Sequence, residues 1–182
     1  MHSPTRREWE CLQRLNSPKA IQAFLDSFVH DSNDHLYPPS IILQKKVTRI
    51  HCFEASLVAA SALLHHGHDP VLLDLRAKPE LDDDHVVAIY QHNGKIGFLS
   101  HSSIPQWTSS PARYSSIAAL VAANAQYYTK KGRMTLESYA LYKLNRKDQQ
   151  WHSSPEAMLY VGEQLEKARH TRIDANFLKR AA

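Results

Sequence analysis

A chain of 182 residues with 43% apolar and 22% charged side chains can bury one sizeable core without disulfides, and five glycines are too few for a turn-rich all-β sandwich or barrel. The formal charge is +4 with a pI near 9.1, yet lysines and arginines are interleaved with acids rather than gathered into a stripe, so nucleic-acid binding is not expected. No apolar run approaches the roughly 18 residues of a membrane span, and Met1 to Glu10 lacks the apolar stretch of a secretory signal. A cytoplasmic protein with no membrane partner is therefore expected, and its two cysteines, Cys11 and Cys52, are expected as thiols.

Ser3-Pro4 before Thr5 to Leu15, and Ser17-Pro18 before Lys19 to Val29, each put serine at a capping position and proline at the first helical one, which predicts two helices. Ile21, Phe24, Leu25 and Phe28 recur at helical spacing and form the buried face of the second. Asp31 to Ser40 reads as a loop into a short helix around Ile41 to Lys46. Cys52 to Leu64 is apolar on nearly every face, as a helix enclosed by other elements requires, and Gly67 suits a left-handed cap behind it.

Pro70 to Leu75 and His85 to Tyr90 read as strands separated by the acidic loop Glu80 to Asp84. Asn93-Gly94 then turns the chain into a returning strand, Lys95 to Leu99. A loop is expected over Ser100 to Tyr114, a helix from Ile117 to Tyr128, and a last helix from Ser154 to about His170, followed by a fraying tail. The block Lys143 to Lys147, which includes Arg146, reads as a solvated helix end. The order predicts an α+β fold as one domain over 1–182: helices and a loop over 1–40, a core over 41–128 with a buried helix on an antiparallel sheet, and a helical extension over 129–182.

Cys52 is the first chemical candidate, because a thiol in the first turn of a helix meets unpaired N–H groups and the positive end of the helix dipole. Arg49 and His51 are basic neighbours that would lower its pKa, whereas burial against Phe53 and Val58 would raise it. His85, opening a strand, is the candidate base. A metal site would need His51, Cys52, His85 and His101 to converge, and none of the common ligand spacings is present, so no metal is expected. Asp82-Asp83-Asp84 reads as a solvated loop that could attract a cationic substrate group. Trp107, Tyr114, Tyr127 and Tyr128 read as packing residues outside the site.

The Cys52 helix, the strand through Val71 to Leu75, Asp83-Asp84-His85-Val86-Val87 and Asn93-Gly94-Lys95-Ile96-Gly97 resemble, in that order, the transglutaminase-like, papain-related superfamily. Ser17-Pro18 with Ile21 to Asp26, His51 to Ala55, Leu73 to Leu75, Asp82 to Ala88 and Pro111 to Tyr114 resemble a bacterial branch of it, over roughly residues 17 to 145. The resemblance implies Cys52 as nucleophile, His85 as base and an acid on the next strand to orient the imidazole. This chain departs there, with Ser100 at the expected position and His101, Ser102 and Ser103 beside it. Ser100 or Ser102 as a neutral orienter and Asp83 as an alternative all stay open, and Gln44 is a candidate oxyanion donor.

The implied activity is cysteine-dependent acyl transfer, as a peptidase or amidase or as a transglutaminase-like enzyme, on a peptide or protein substrate and without a cofactor. The alternative is a binding or scaffold module that keeps the fold without turnover.

Overall fold

The computed structural model describes residues 4–31, 35–145 and 149–181, so Ser3, Arg146, Lys147 and part of the loop expected over Asp31 to Ser40 lie outside the described residues. Helix α1 (Arg6–Arg14) is capped by Thr5, whose hydroxyl accepts the Glu8 N–H while the Glu8 carboxylate accepts the Thr5 N–H. Helix α2 (Pro18–Leu25) starts as expected, with the Ser17 hydroxyl accepting the Ala20 N–H. It stops at Leu25 rather than Val29, because Val29–His30 leaves as a short strand, β1, paired in parallel with β2 (Arg49–Ile50).

Helix α3 (Pro39–Leu43) leads to α4 (Cys52–His65), in which every residue from Glu54 to Leu63 is buried. The enclosure explains its composition: a helix packed on all sides has no polar face to keep. Gly67, at φ +84°, closes it, with its own N–H on the Leu64 carbonyl and that of His68 on the Leu63 carbonyl.

The main sheet is antiparallel throughout. Its strands are β3 (Val71–Ala77), β4 (His85–His92), β5 (Lys95–Leu99), β6 (Ser109–Tyr114), β9 (Leu136–Lys143) and β10 (Thr171–Arg172), in the order β10-β9-β3-β4-β5-β6. Strands β7 (Thr129–Lys130) and β8 (Arg133–Met134) form a separate small ribbon. The β4–β5 turn has Asn93 at φ +50° and Gly94 at φ +69°, the left-handed pair that an Asn-Gly hairpin supplies.

Side chains alternate across this sheet. Leu72, Val86, Ala88, Tyr90 and Leu99 join one core cluster with α4, α1, α2, α3 and α6 (Pro155–Lys167). Leu73, Leu75, Val87, Ile89 and Phe98 join the other, with Trp107, α5 (Ile117–Asn124) and α7 (Ala175–Ala181). The fold is mixed α+β, a central antiparallel sheet with helices on both faces.

Several expectations are corrected. The stretch 129–182 is not a purely helical extension, since β9 inserts beside β3 near the middle of the sheet, and Lys143 ends that strand rather than a helix. The loop expected over Ser100 to Tyr114 contains β6, where Pro111 is tolerated because β6 is an edge strand. The tail forms α7, anchored by buried Phe177. Among the described residues, no helix is long and apolar enough to cross a membrane.

Candidate functional site

The N-terminal end of α4 and the first residue of β4 open onto one cavity of about 760 Å³, lined by Cys52, His85, His30, Asp31, His35, His51, Asp82, Asp83, Asp84, Tyr128 and others. The sheet register brings these groups together, because β4 begins opposite Leu75 and passes under the start of α4. Although the chain is cationic as a whole, four aspartates and neither lysine nor arginine appear among the described residues lining this cavity.

Cys52 is the first residue of α4, with His51 as the N-cap. Burial pushes the Cys52 thiol up to about 11, against the smaller pull of the neighbouring backbone amides of Val86, Phe53 and Cys52 itself, which favour the thiolate. The expected basic neighbours do not counter this. Arg49 is turned toward Asp31 (3.7 Å), and the His51 Nε2–H donates to the His35 carbonyl (3.0 Å).

His85 is buried, and its Nε2–H donates to the Trp107 carbonyl oxygen (3.0 Å). Burial, reinforced by the neighbouring His30 and His101, pushes its pKa down to about 4 against the pull of that hydrogen bond. The bond fixes Nε2 as the protonated nitrogen, which leaves the lone pair on Nδ1. Among the described residues no hydrogen bond joins the Cys52 thiol to the His85 ring. The resting state is therefore a neutral thiol and a neutral imidazole facing the same cavity.

The remaining expected site residues are placed differently. The Ser100 hydroxyl donates to the Val86 carbonyl (2.7 Å) and lies 3.3 Å from the Ser56 hydroxyl, on the α4 side of the sheet, while the His85 ring packs toward Trp107 in the opposite cluster. Among the described residues the Ser100 hydroxyl makes no hydrogen bond to the His85 ring, whose Nε2–H goes to the Trp107 carbonyl. Asp83 is exposed at the cavity rim, where its carbonyl accepts the Tyr128 hydroxyl (3.3 Å), and the His85 imidazole bonds to Trp107 instead.

Gln44 lies in a separate cavity of about 630 Å³ with Cys11 and Arg14, its side chain donating to the Ser40 carbonyl (2.9 Å). It does not line the cavity that Cys52 opens onto. His101 does not meet His51. Instead it lies against His30 (ring centroids 5.4 Å), with both of its ring nitrogens buried and without a hydrogen-bond partner among the described residues.

Sequence reasoning missed the Trp107 carbonyl and Tyr128. Tyr128 is fully buried, lines the cavity, and has its phenol pKa raised by burial and by the nearby Cys52 and aspartates. It also missed His35. That residue packs against His51 (ring centroids 5.5 Å), Tyr37 (4.6 Å) and the buried Glu54 (Nδ1 to Oε1 3.3 Å).

No family model and no curated protein matches the chain. Among solved structures, EGTA-treated Legionella pneumophila LapG is similar at a TM-score of 0.45 and 11% identity, covering 88% of this chain and 91% of that one. A second structure of Legionella pneumophila LapG is similar at a TM-score of 0.44 and 10% identity, over 92% and 91% of the two chains.

Proposed function

We propose that the protein is a cysteine-dependent acyl-transfer enzyme, with Cys52 as nucleophile and His85 as proton shuttle. The observation that carries this reading is the shared cavity: a helix N-terminal thiol and a buried imidazole with its Nδ1 lone pair uncommitted both line it. In the reaction, sulfur attacks an amide or ester carbonyl as its proton passes to Nδ1. The imidazolium then protonates the departing amine or alcohol, and water or an amine resolves the thioester.

The Trp107 carbonyl takes the orienting role that an acid would otherwise have. As a neutral acceptor it stabilises the imidazolium less than a carboxylate would, which suits a slow enzyme. The aspartates at the cavity favour a peptide or protein substrate that brings a cationic group.

A second reading, a binding module retaining this fold, is favoured by one observation: the thiol is held up at about 11 with no hydrogen bond to His85. Acylation by p-nitrophenyl acetate separates the two. The enzyme reading expects a p-nitrophenol burst of one equivalent with an acetyl adduct on Cys52, in a Cys11→Ser background. The burst is absent in Cys52→Ala and strongly slowed in His85→Ala. A burst that is missing, or one indifferent to both substitutions, overturns it in favour of the module.

A further inference from the structure

Beside Cys52 lies a cluster that acyl transfer does not use, with His35 and His51 on the wall of the same cavity and Glu54 buried behind them. His35, His51 and Glu54 each offer a ligand atom, and these atoms lie within 4.8 Å of one another. His51 caps α4, Glu54 sits in its first turn, and His35 reaches in from the segment before α3. Asp31 stands behind His35, its carboxylate 3.5 Å from Nε2, a buried ring nitrogen without a hydrogen-bond partner among the described residues.

We propose that His35, His51 and Glu54 bind a divalent transition cation of the Zn²⁺ class through the His35 Nδ1 that faces Glu54, with Asp31 as the carboxylate partner of the outward His35 Nε2. Two imidazoles and a carboxylate are the donor types such an ion selects, and the two carboxylates balance its charge. Bonds of about 2.0–2.1 Å put tetrahedral ligands about 3.4 Å apart, so the set closes on an ion by side-chain rotation. The Glu54 oxygens already accept the N–H groups of His51 and Tyr37, which fix the carboxylate in place, and Oε1 faces the His35 Nδ1 at 3.3 Å. Stacking of the His35 ring on Tyr37 and His51 holds the imidazole in the cluster. A bound ion displaces the His51 bond to the His35 carbonyl and replaces the direct contact of the His35 Nδ1 with Glu54.

An ion there ties the chain at Asp31 and His35 to the start of α4, one residue before Cys52. The inference does not depend on the acyl-transfer reading, and its test is made without the thiols. Full-length protein carrying Cys11→Ser and Cys52→Ser is titrated with Zn²⁺ against a chromophoric chelator, then with Co²⁺ followed by visible absorption. One equivalent of Zn²⁺ and a tetrahedral Co²⁺ spectrum are expected. Affinity should fall at least about tenfold in His35→Ala and in His51→Ala, with far-ultraviolet circular dichroism confirming that both variants fold. Binding that is absent, or that survives both substitutions, overturns the site. Because the thiols are missing from the titrated protein, neither result changes what the Cys52 burst says about acyl transfer.

Discussion

The Nε2–H of His85 donates to the backbone carbonyl of Trp107 at 3.0 Å, so the imidazole is held by a group that no side-chain substitution deletes. The indole instead sets where that carbonyl lies, packed without exposure against Phe98 and Tyr128. Trp107→Phe is expected to keep the carbonyl in place and retain a Cys52 acylation rate within a few-fold of the native one. Trp107→Ala is expected to cost about 3–5 kcal/mol of stability. Urea unfolding and the p-nitrophenol burst measure the two effects separately.

His85 also makes stability depend on pH. Its pKa is about 4 in the folded protein and 6.5 in the reference state, so the unfolded chain binds the extra proton between those values. Its effect on stability is constant above pH 6.5, declines as pH falls toward 4, and levels off below. The loss is on the order of 3 kcal/mol. His30 and His101, also lowered by burial, add loss of the same sign. Urea midpoints across pH 4–7 should flatten in His85→Gln relative to native protein, and equal slopes would contradict the buried neutral imidazole.

The Ser100 hydroxyl is engaged by the Val86 carbonyl and the Ser56 hydroxyl, which points to a structural role. Its bond to the Val86 carbonyl predicts that Ser100→Ala costs about 1 kcal/mol and leaves Cys52 acylation within a few-fold of native. Loss of acylation by orders of magnitude, with the fold intact, would restore it to a catalytic role.

Gly97 is required by packing. A β-carbon there would lie 2.6 Å from the Tyr90 ring and hydroxyl and 2.6 Å from the Ser110 carbonyl oxygen. Gly97→Ala is therefore expected to cost about 1–3 kcal/mol. The double variant with Tyr90→Ala should lose less than the sum of the two single losses, because they share one contact. Thermal unfolding of the four proteins completes the cycle.

The elements legible from sequence were those with strong local signals. The all-apolar run from Cys52 marks an enclosed helix, and Asn93-Gly94 fixes the hairpin, with Lys95 to Leu99 forming the returning strand as expected. Strand β9 was hidden because Leu136 to Lys143 mixes Leu, Glu, Ala and Lys, which are good helix formers, and is placed in the sheet only by distant β3.

Within the site, residue type pointed to Cys52 and His85, which do share a cavity. The orienting acceptor was invisible because a backbone carbonyl has no signature in side-chain identity. Ser100 misled because position along a hairpin does not say on which face a residue just past the strand will turn. His35 was missed because its nearness to His51 is created by the chain's path from β1 through α3 to β2, and no spacing rule encodes that path.

The place of β9 bears on how the molecule is made. Leu72 pairs with Tyr142 and Leu73 with Leu141, so on a ribosome β3 emerges long before the strand that covers its outer edge. Until then an edge of leucine-rich backbone stays open beside β4, able to pair with another nascent chain. Closure is a late, long-range event, so folding is expected to be slow for a protein of this size and most prone to aggregation before residues 136–143 dock.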